Sequence, residues 1–456
     1  MSKKRYERPV IVKQQSGFMN KYGARESIKP LTEIDNIKID ELTEKFGSPL
    51  FVFSEKQIRE KYRRLYKIFK TRYPKVRFAW SYKTNYLSAI CSIYHQEGSW
   101  AEVVSEFEYD KARNLGVKGE NIIFNGPDKD EAALEKAIRE KALIHIDHFD
   151  ELYMIMEITE RIDITANVAI RVNMDTGIYP PWNRFGFNYE NGEAMLALKR
   201  ILVNDRLKLR GLHTHIGTYI MSAEPYRVAT LKLVELAKTL YNQYDVKLEY
   251  IDIGGGFPSN NTLKGQYLDA EQILPTYEDY ADAITSALFE LNLPADELPV
   301  LTLETGRALI DDSGYLISTV IATKRLSTGK QALIMDAGVN YLFTSYWFNH
   351  KLMPTKETFG ITENTVVYGP LCMNIDVIRD DIYFPTMQKG DKLVVLYVGA
   401  YSVTQWMQFI TLRPNVVLIT EEGEVEIIRE AEKLENVTAP ERLPEKLKDF
   451  SLDEQL

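Results

Sequence analysis

The sequence predicts an α/β protein in two parts: a (β/α)8 barrel over residues 46–310 and a mostly β domain over 311–456. Strand-like runs alternate with helix-like ones, ending near Tyr82, Val104, Phe124, Ile146, Val172, His213, Ile253 and Leu303. Eight such strands with helices between them, over about 250 residues, is the arithmetic of a barrel. Past residue 310 the helices drop out, and 317–322, 331–335, 365–368, 392–397 and 416–419 read as strands. The total length of 456 residues also exceeds what one core usually organises. A doubly wound sheet is the competing architecture, but no G-x-G-x-x-G opens a helix after the first strand.

Composition narrows the function. A net charge of -9 speaks against a phosphate-backbone binder, which needs a basic face. Two cysteines, Cys91 and Cys372, cannot build a disulfide framework, so a reducing compartment is expected. The basic N-terminus has no apolar run behind it, and no stretch approaches the roughly 18 apolar residues of a membrane span. A cytoplasmic protein is expected.

Residues 1–45 are polar and are expected to pack on the β domain, with a short strand at Val10–Val12 and a helix at Ile39–Phe46. Leu50–Phe53 reads as a strand. The central stretch is Phe78-Ala79-Trp80-Ser81-Tyr82-Lys83-Thr84-Asn85: a buried strand that delivers one lysine to its end, then a helix patterned from Leu87. Helical spacing recurs at Glu131–Lys141, Glu151–Ile158 and Val228–Leu240. The charge-rich tail is expected to be weakly ordered beyond about Asn436.

Chemistry in such barrels sits where the strands end. Lys83 stands there, although most strand-end lysines are merely solvated. Gly211 to Thr218 places His213 and His215 at alternate positions, on one face. A metal site there would need partners of ligand spacing, and none lies nearby, so no metal is expected. His215 suits stacking on a flat cofactor, with the Thr218 hydroxyl beyond it. Ile251 to Pro258 ends in Gly254, Gly255 and Gly256, which let backbone N–H groups converge on an anion. Leu301 to Arg307 repeats that logic with Glu304, Gly306 and Arg307. A lysine, two anion loops and a carboxylate together meet the needs of pyridoxal phosphate.

With these motifs the chain resembles the fold-type III pyridoxal-phosphate decarboxylases, the family of the diaminopimelate, ornithine and arginine enzymes, from about residue 45 to 420. The resemblance implies an alanine-racemase-like barrel and an obligate homodimer with shared sites. It implies that Lys83 forms the covalent bond to the cofactor, with Glu102 near the ring, His215 stacked on it and Glu304 at its nitrogen. Thr218, Gly254, Gly255, Gly256, Gly306, Arg307 and Tyr401 are then the phosphate cup. Asn173 and the Arg184-Phe185-Gly186 run fit further family segments, Arg184 on the substrate side. Cys372, in Tyr368-Gly369-Pro370-Leu371-Cys372, matches the cysteine lent across the dimer interface.

Recognition of the substrate's far end departs from the family. Relatives place an acidic residue after that cysteine, where this chain has Met373 followed by Asn374. Diaminopimelate enzymes carry an arginine shortly after Asp-Ala-Gly-[Met/Val]-Asn, where Thr344 stands here. The loop after Tyr401 brings Gln405 and Trp406. Such replacements remove the charges a buried distal ammonium or carboxylate requires. The expected function is therefore decarboxylation at the α-carbon of an amino acid without a distal ammonium. A racemase on the same scaffold, or a silent homologue that only binds partners, are the rivals. Racemases of this class put an arginine at the ring nitrogen, unlike Glu304.

Overall fold

The computed structural model describes residues 28–358 and 362–448. Eight parallel strands close on themselves: Val76–Ser81, Trp100–Val103, Ile122–Phe124, Leu143–Ile146, Ala166–Asn173, Leu207–His213, Tyr250–Asp252 and Val300–Leu303. The last pairs with the first, Leu303 opposite Phe78. Each of the eight predicted barrel-strand ends lies within one residue of the observed one. Leu50–Ser54 departs from the expected division: it joins the second sheet, antiparallel to Gly314–Arg325 and parallel to Val416–Ile419.

The helices follow from apolar spacing and caps. Ser54 accepts the amide of Gln57 and starts the helix Glu55–Lys70. Ile58, Tyr62, Leu65 and Phe69, spaced by four, three and four, form its buried face. Tyr62 and Tyr66 each meet Phe78 of the first barrel strand at 5.5 Å between ring centroids. Helices at Phe149–Ile162 and Glu224–Tyr244 cover two of the segments predicted from periodicity, and the helix Glu131–Arg139 stops two residues short of the predicted Lys141.

In the second sheet the order is Val377–Pro385, Thr362–Tyr368, Gln331–Met335, Gly314–Arg325, Leu50–Ser54, Val416–Ile419 and Val425–Arg429. Lys392–Leu396 pairs with Gly314–Arg325 and with Leu352–Pro354. The two end strands escape a hydrophobic-pattern reading because their outer residues are polar and exposed, as edges are. The helix Ile39–Phe46 forms as its spacing predicts. Its Ile39 and Leu42 pack with Leu50, Val52, Ile317, Val394 and Val417. Val10–Val12 lies outside the described residues. A short helix at Leu434–Thr438 occupies the tail, with none of its residues buried. Among the described residues no helix is long and apolar enough to cross a membrane.

One buried ion pair braces the barrel below its mouth. The Lys129 ammonium donates to Glu151 at 2.6 Å, to the Gly126 carbonyl at 2.6 Å and to the His145 carbonyl at 3.1 Å. Neither side chain reaches solvent appreciably. Glu151→Ala leaves an unpaired buried ammonium and is expected to cost about 3–5 kcal/mol. The check is the urea midpoint of the first unfolding transition, which should fall.

Candidate active site

The first barrel strand stops because the chain is pinned at Asn85. Its carbonyl accepts Trp80 Nε1 at 3.2 Å, its Oδ1 accepts the Leu87 amide, and its Nδ2 donates to the Gly399 carbonyl. Tyr82–Thr84 form a single tight turn between these anchors. The Tyr401 amide donates to the Thr84 carbonyl at 2.8 Å, tying the turn to the loop after Lys392–Leu396. Lys83 is thereby held at the barrel mouth with its side chain 36% exposed.

Register supplies its partner. Ser81 lies opposite Glu102 on the next strand, and Lys83 Nζ donates to both Glu102 oxygens, at 2.6 and 2.8 Å. Burial alone would lower the ammonium's pKa; Glu102, aided by Tyr401 and Glu304, outweighs it and holds the value above the ordinary range. Asn125 donates its one amide to Glu102 at 3.0 Å and to Glu304 at 2.6 Å, so the two carboxylates share a clamp. Asn125 is a site residue that sequence reasoning missed. Its signal is only a polar residue directly after the strand ending at Phe124.

Beneath this clamp lies a polar layer that no local spacing announces. His213 Nε2 stands 3.3 Å from Glu304, His145 Nδ1 stands 3.8 Å from it, and the two imidazoles are 4.6 Å apart. Donor atoms of this trio lie within 4.8 Å of one another, a geometry that could hold a cation. Expecting no metal partners for His213 rested on local spacing alone, which cannot see His145 on another strand. Burial, then the neighbouring positive charges, push the pKa of both histidines well below the ordinary range. His215, two residues past the strand, is pushed down to about 3 by burial and by Arg171 and Lys83. It offers a flat, neutral ring at the mouth. Trp182, also unforeseen, stacks on it at 5.6 Å with 11° between planes.

Glycine is required where two loops meet. Gly256 has φ +92°, and a Cβ there would strike the Gly217 carbonyl. A Cβ on Gly255 would lie 2.5 Å from the Glu304 carbonyl. Arg307 is fixed between Phe348 at 4.7 Å and Tyr401 at 4.9 Å, with Asp311 at 3.4 Å. Its Nε, like the hydroxyls of Thr84 and Thr305 beside Gly306, is buried without a hydrogen-bond partner. An amine, a buried carboxylate, a neutral ring and unsatisfied donors beside close-packed glycine loops fit pyridoxal phosphate.

The other predicted residues have contacts of their own. Thr218 is exposed. Arg184 is exposed too, its guanidinium 5.3 Å from the Phe185 ring. Asn173 braces the Phe185 and Gly186 carbonyls at 2.7 and 2.8 Å. Cys372 and Asn374 are exposed and Met373 is half-buried. Asp376 anchors their loop by accepting the Val339 and Leu371 amides. Thr344 is buried and bonds His350 at 2.9 Å. Trp406 packs on Phe51 at 5.3 Å, beside half-buried Gln405, and Arg429 lies 4.9 Å over its ring.

The chain is similar to known decarboxylases. The sequence model described as pyridoxal-dependent decarboxylase, pyridoxal binding domain, matches residues 55–311. Diaminopimelate decarboxylase of Methanocaldococcus jannaschii is 32% identical over 434 residues, covering 90% of this chain and 95% of that one. The L-glutamyl-(BtrI acyl-carrier protein) decarboxylase of Niallia circulans is 27% identical over 427 residues, covering 89% and 96%. A crystal structure of the M. jannaschii enzyme superimposes with a TM-score of 0.84 at 29% identity, covering 92% of this chain and 99% of that one. With its closed barrel, β-rich second part and strand-end lysine, the chain belongs to the fold-type III pyridoxal-phosphate-dependent decarboxylases.

Proposed function

We propose that the chain removes the α-carboxyl group of an amino acid whose far end carries no free ammonium. The observation that carries this reading is the Lys83–Glu102–Asn125–Glu304 constellation beside the neutral ring of His215. Lys83 would hold pyridoxal phosphate covalently, with Glu102 beside the ring. Gly254, Gly255, Gly256, Gly306, Arg307, Thr218 and Tyr401 would hold its phosphate. When bound, the cofactor draws electrons from the α-carbon so that the bond to the carboxyl group can break. Glu304 holds a proton at the ring nitrogen, which favours that withdrawal. His215 keeps the ring flat against the barrel wall. Either Lys83 or Cys372 returns a proton to the α-carbon.

Substrate choice rests on what stands at the far end. Met373 and Thr344 replace charged residues of the family pattern, and the nearby charges have partners of their own. Arg413 pairs with Glu432 at 2.7 Å, and Asp376 is consumed by two backbone amides. A substrate with a neutral or conjugated far end fits such a pocket, with Asn374, Gln405, Trp406 and Arg184 as its boundary. The Niallia relative, by its name, acts on a glutamyl group carried by a protein, so this scaffold accommodates a conjugate. The acidic chain with two free cysteines suits the cytoplasm. The test is CO2 release by the loaded enzyme from a panel of free and conjugated amino acids. Loss of the α-hydrogen's stereochemistry without CO2 would favour a racemase instead.

The exposed thiol of Cys372 on the second sheet's loop is consistent with a site completed by a second chain. Lys83→Ala and Cys372→Ala should each be inactive as homodimers. Mixed in equal amounts with subunit exchange, about half the dimers are hybrids with one intact site, giving about a quarter of wild-type activity. No recovery, with exchange demonstrated by mass, would contradict shared sites.

A further inference from the structure

The barrel interior below Glu304 holds two polar residues to which the proposed reaction gives no part. The Tyr250 hydroxyl lies 2.8 Å from His145 Nε2, and His145 turns its other nitrogen, Nδ1, toward Glu304 Oε1 at 3.8 Å. Tyr250 is 2% exposed, His145 1% and Glu304 3%, so all three are shielded from bulk solvent. His145 Nδ1 has no hydrogen-bond partner, nor has either nitrogen of His213. We infer that Tyr250 and His145 are a positioning pair that aims an N–H at Glu304, so that a carboxylate rather than a carboxylic acid meets the cofactor's ring nitrogen. This rests on the assignment of Glu304 to that nitrogen.

The reasoning is tautomeric. A neutral imidazole carries one N–H, and the hydrogen bond made by one nitrogen decides which nitrogen bears it. When Tyr250 donates to Nε2, the hydrogen of His145 sits on Nδ1 and faces the carboxylate. The reverse arrangement would turn a lone pair on Glu304 and drive a proton onto it. At 3.8 Å the N–H is a dipole aimed at a charge rather than a formed hydrogen bond, and such contacts tighten when the site is filled.

The surroundings agree. Asp252, at the end of the strand that carries Tyr250, has its carboxyl pushed well above the ordinary range by burial and by the charge of Glu304. Asp252 is thereby biased toward its protonated form. Burial holds the Tyr250 phenol well above its ordinary range and so keeps it protonated. Burial, then His213, Lys129 and Arg171, oppose protonation of His145 and together outweigh the charge of Glu304. Glu102 and Lys83 also face this layer, Arg77 lies 6.0 Å over the Tyr250 ring, and Glu249 acts on the same phenol.

The experiment uses the holoenzyme loaded with pyridoxal phosphate carrying ¹⁵N in the ring, whose chemical shift reports protonation of that nitrogen. Wild type should give the protonated signal. His145→Leu should move it toward the unprotonated value, with the ring-nitrogen protonation constant changed on the order of tenfold. His145→Asn, whose amide N–H replaces Nδ1–H, should restore the signal. Tyr250→Phe, nearly isosteric, should shift it in the same direction as His145→Leu and serves as the readout if His145→Leu does not fold. Glu304→Gln separates the two levels of the argument. If Glu304→Gln shifts the signal while His145→Leu and Tyr250→Phe leave it at the wild-type value, the positioning role is overturned. If Glu304→Gln itself changes nothing, the assignment of Glu304 fails and the inference with it. Stoichiometric metal in the wild-type holoprotein, lost in His145→Leu, would also overturn it, since the trio would then be a cation site.

Discussion

Lys83→Ala is expected to bind pyridoxal phosphate without a covalent bond and to lose turnover on the order of a thousandfold or more. The loss has two sources that the geometry keeps together. Lys83 is the amine at the mouth whose Nζ meets Glu102 at 2.6 Å, and under the proposed assignment its removal takes away the anchor of the cofactor. It also removes a group able to carry a proton to or from the α-carbon, a role worth about 10²–10⁴ by itself. Borohydride reduction followed by peptide mass analysis checks the first source, and single-turnover rates check the second. A cofactor still trapped at another lysine would move the site elsewhere.

Met373→Glu is expected to raise kcat/KM for a diamino acid relative to the native substrate, by up to about a thousandfold. Burying an unpaired ammonium costs several kcal/mol, and every 1.4 kcal/mol is about tenfold. A carboxylate beside Cys372 would supply the missing partner. Position 373 is half-buried on a loop whose backbone is held by Asp376, so the substitution leaves the loop's anchor intact. Parallel assays with a diamino acid and with an amino acid of neutral far end give the ratio directly. An unchanged ratio would show that residue 373 does not face the distal group.

The barrel was legible because each of its strands is short, apolar and followed by a polar break, and such breaks are local features. Lys83, His215 and Glu304 stand just past such strand ends, whereas Glu102, inside its strand, was marked only by the family resemblance. Leu50–Ser54 was misplaced because its partners, Gly314–Arg325 and Val416–Ile419, lie hundreds of positions later, and periodicity carries no information about pairing. Tyr250 and His145 are 105 residues apart, on strands that are not consecutive in the barrel. Only closure of the barrel makes them neighbours. Trp406 was read as pocket lining, and its contacts with Phe51 and Arg429 come from the same long-range pairing of the second sheet.

The central claim is that the catalytic half of the site is kept while recognition of a charged far end is lost. Steady-state kcat/KM for meso-diaminopimelate with the wild-type holoenzyme tests it most directly. The account predicts a value on the order of a thousandfold below that for a substrate with a neutral or conjugated far end. A value of about 10⁴ M⁻¹s⁻¹ or more, in the range of good enzymes, would contradict it.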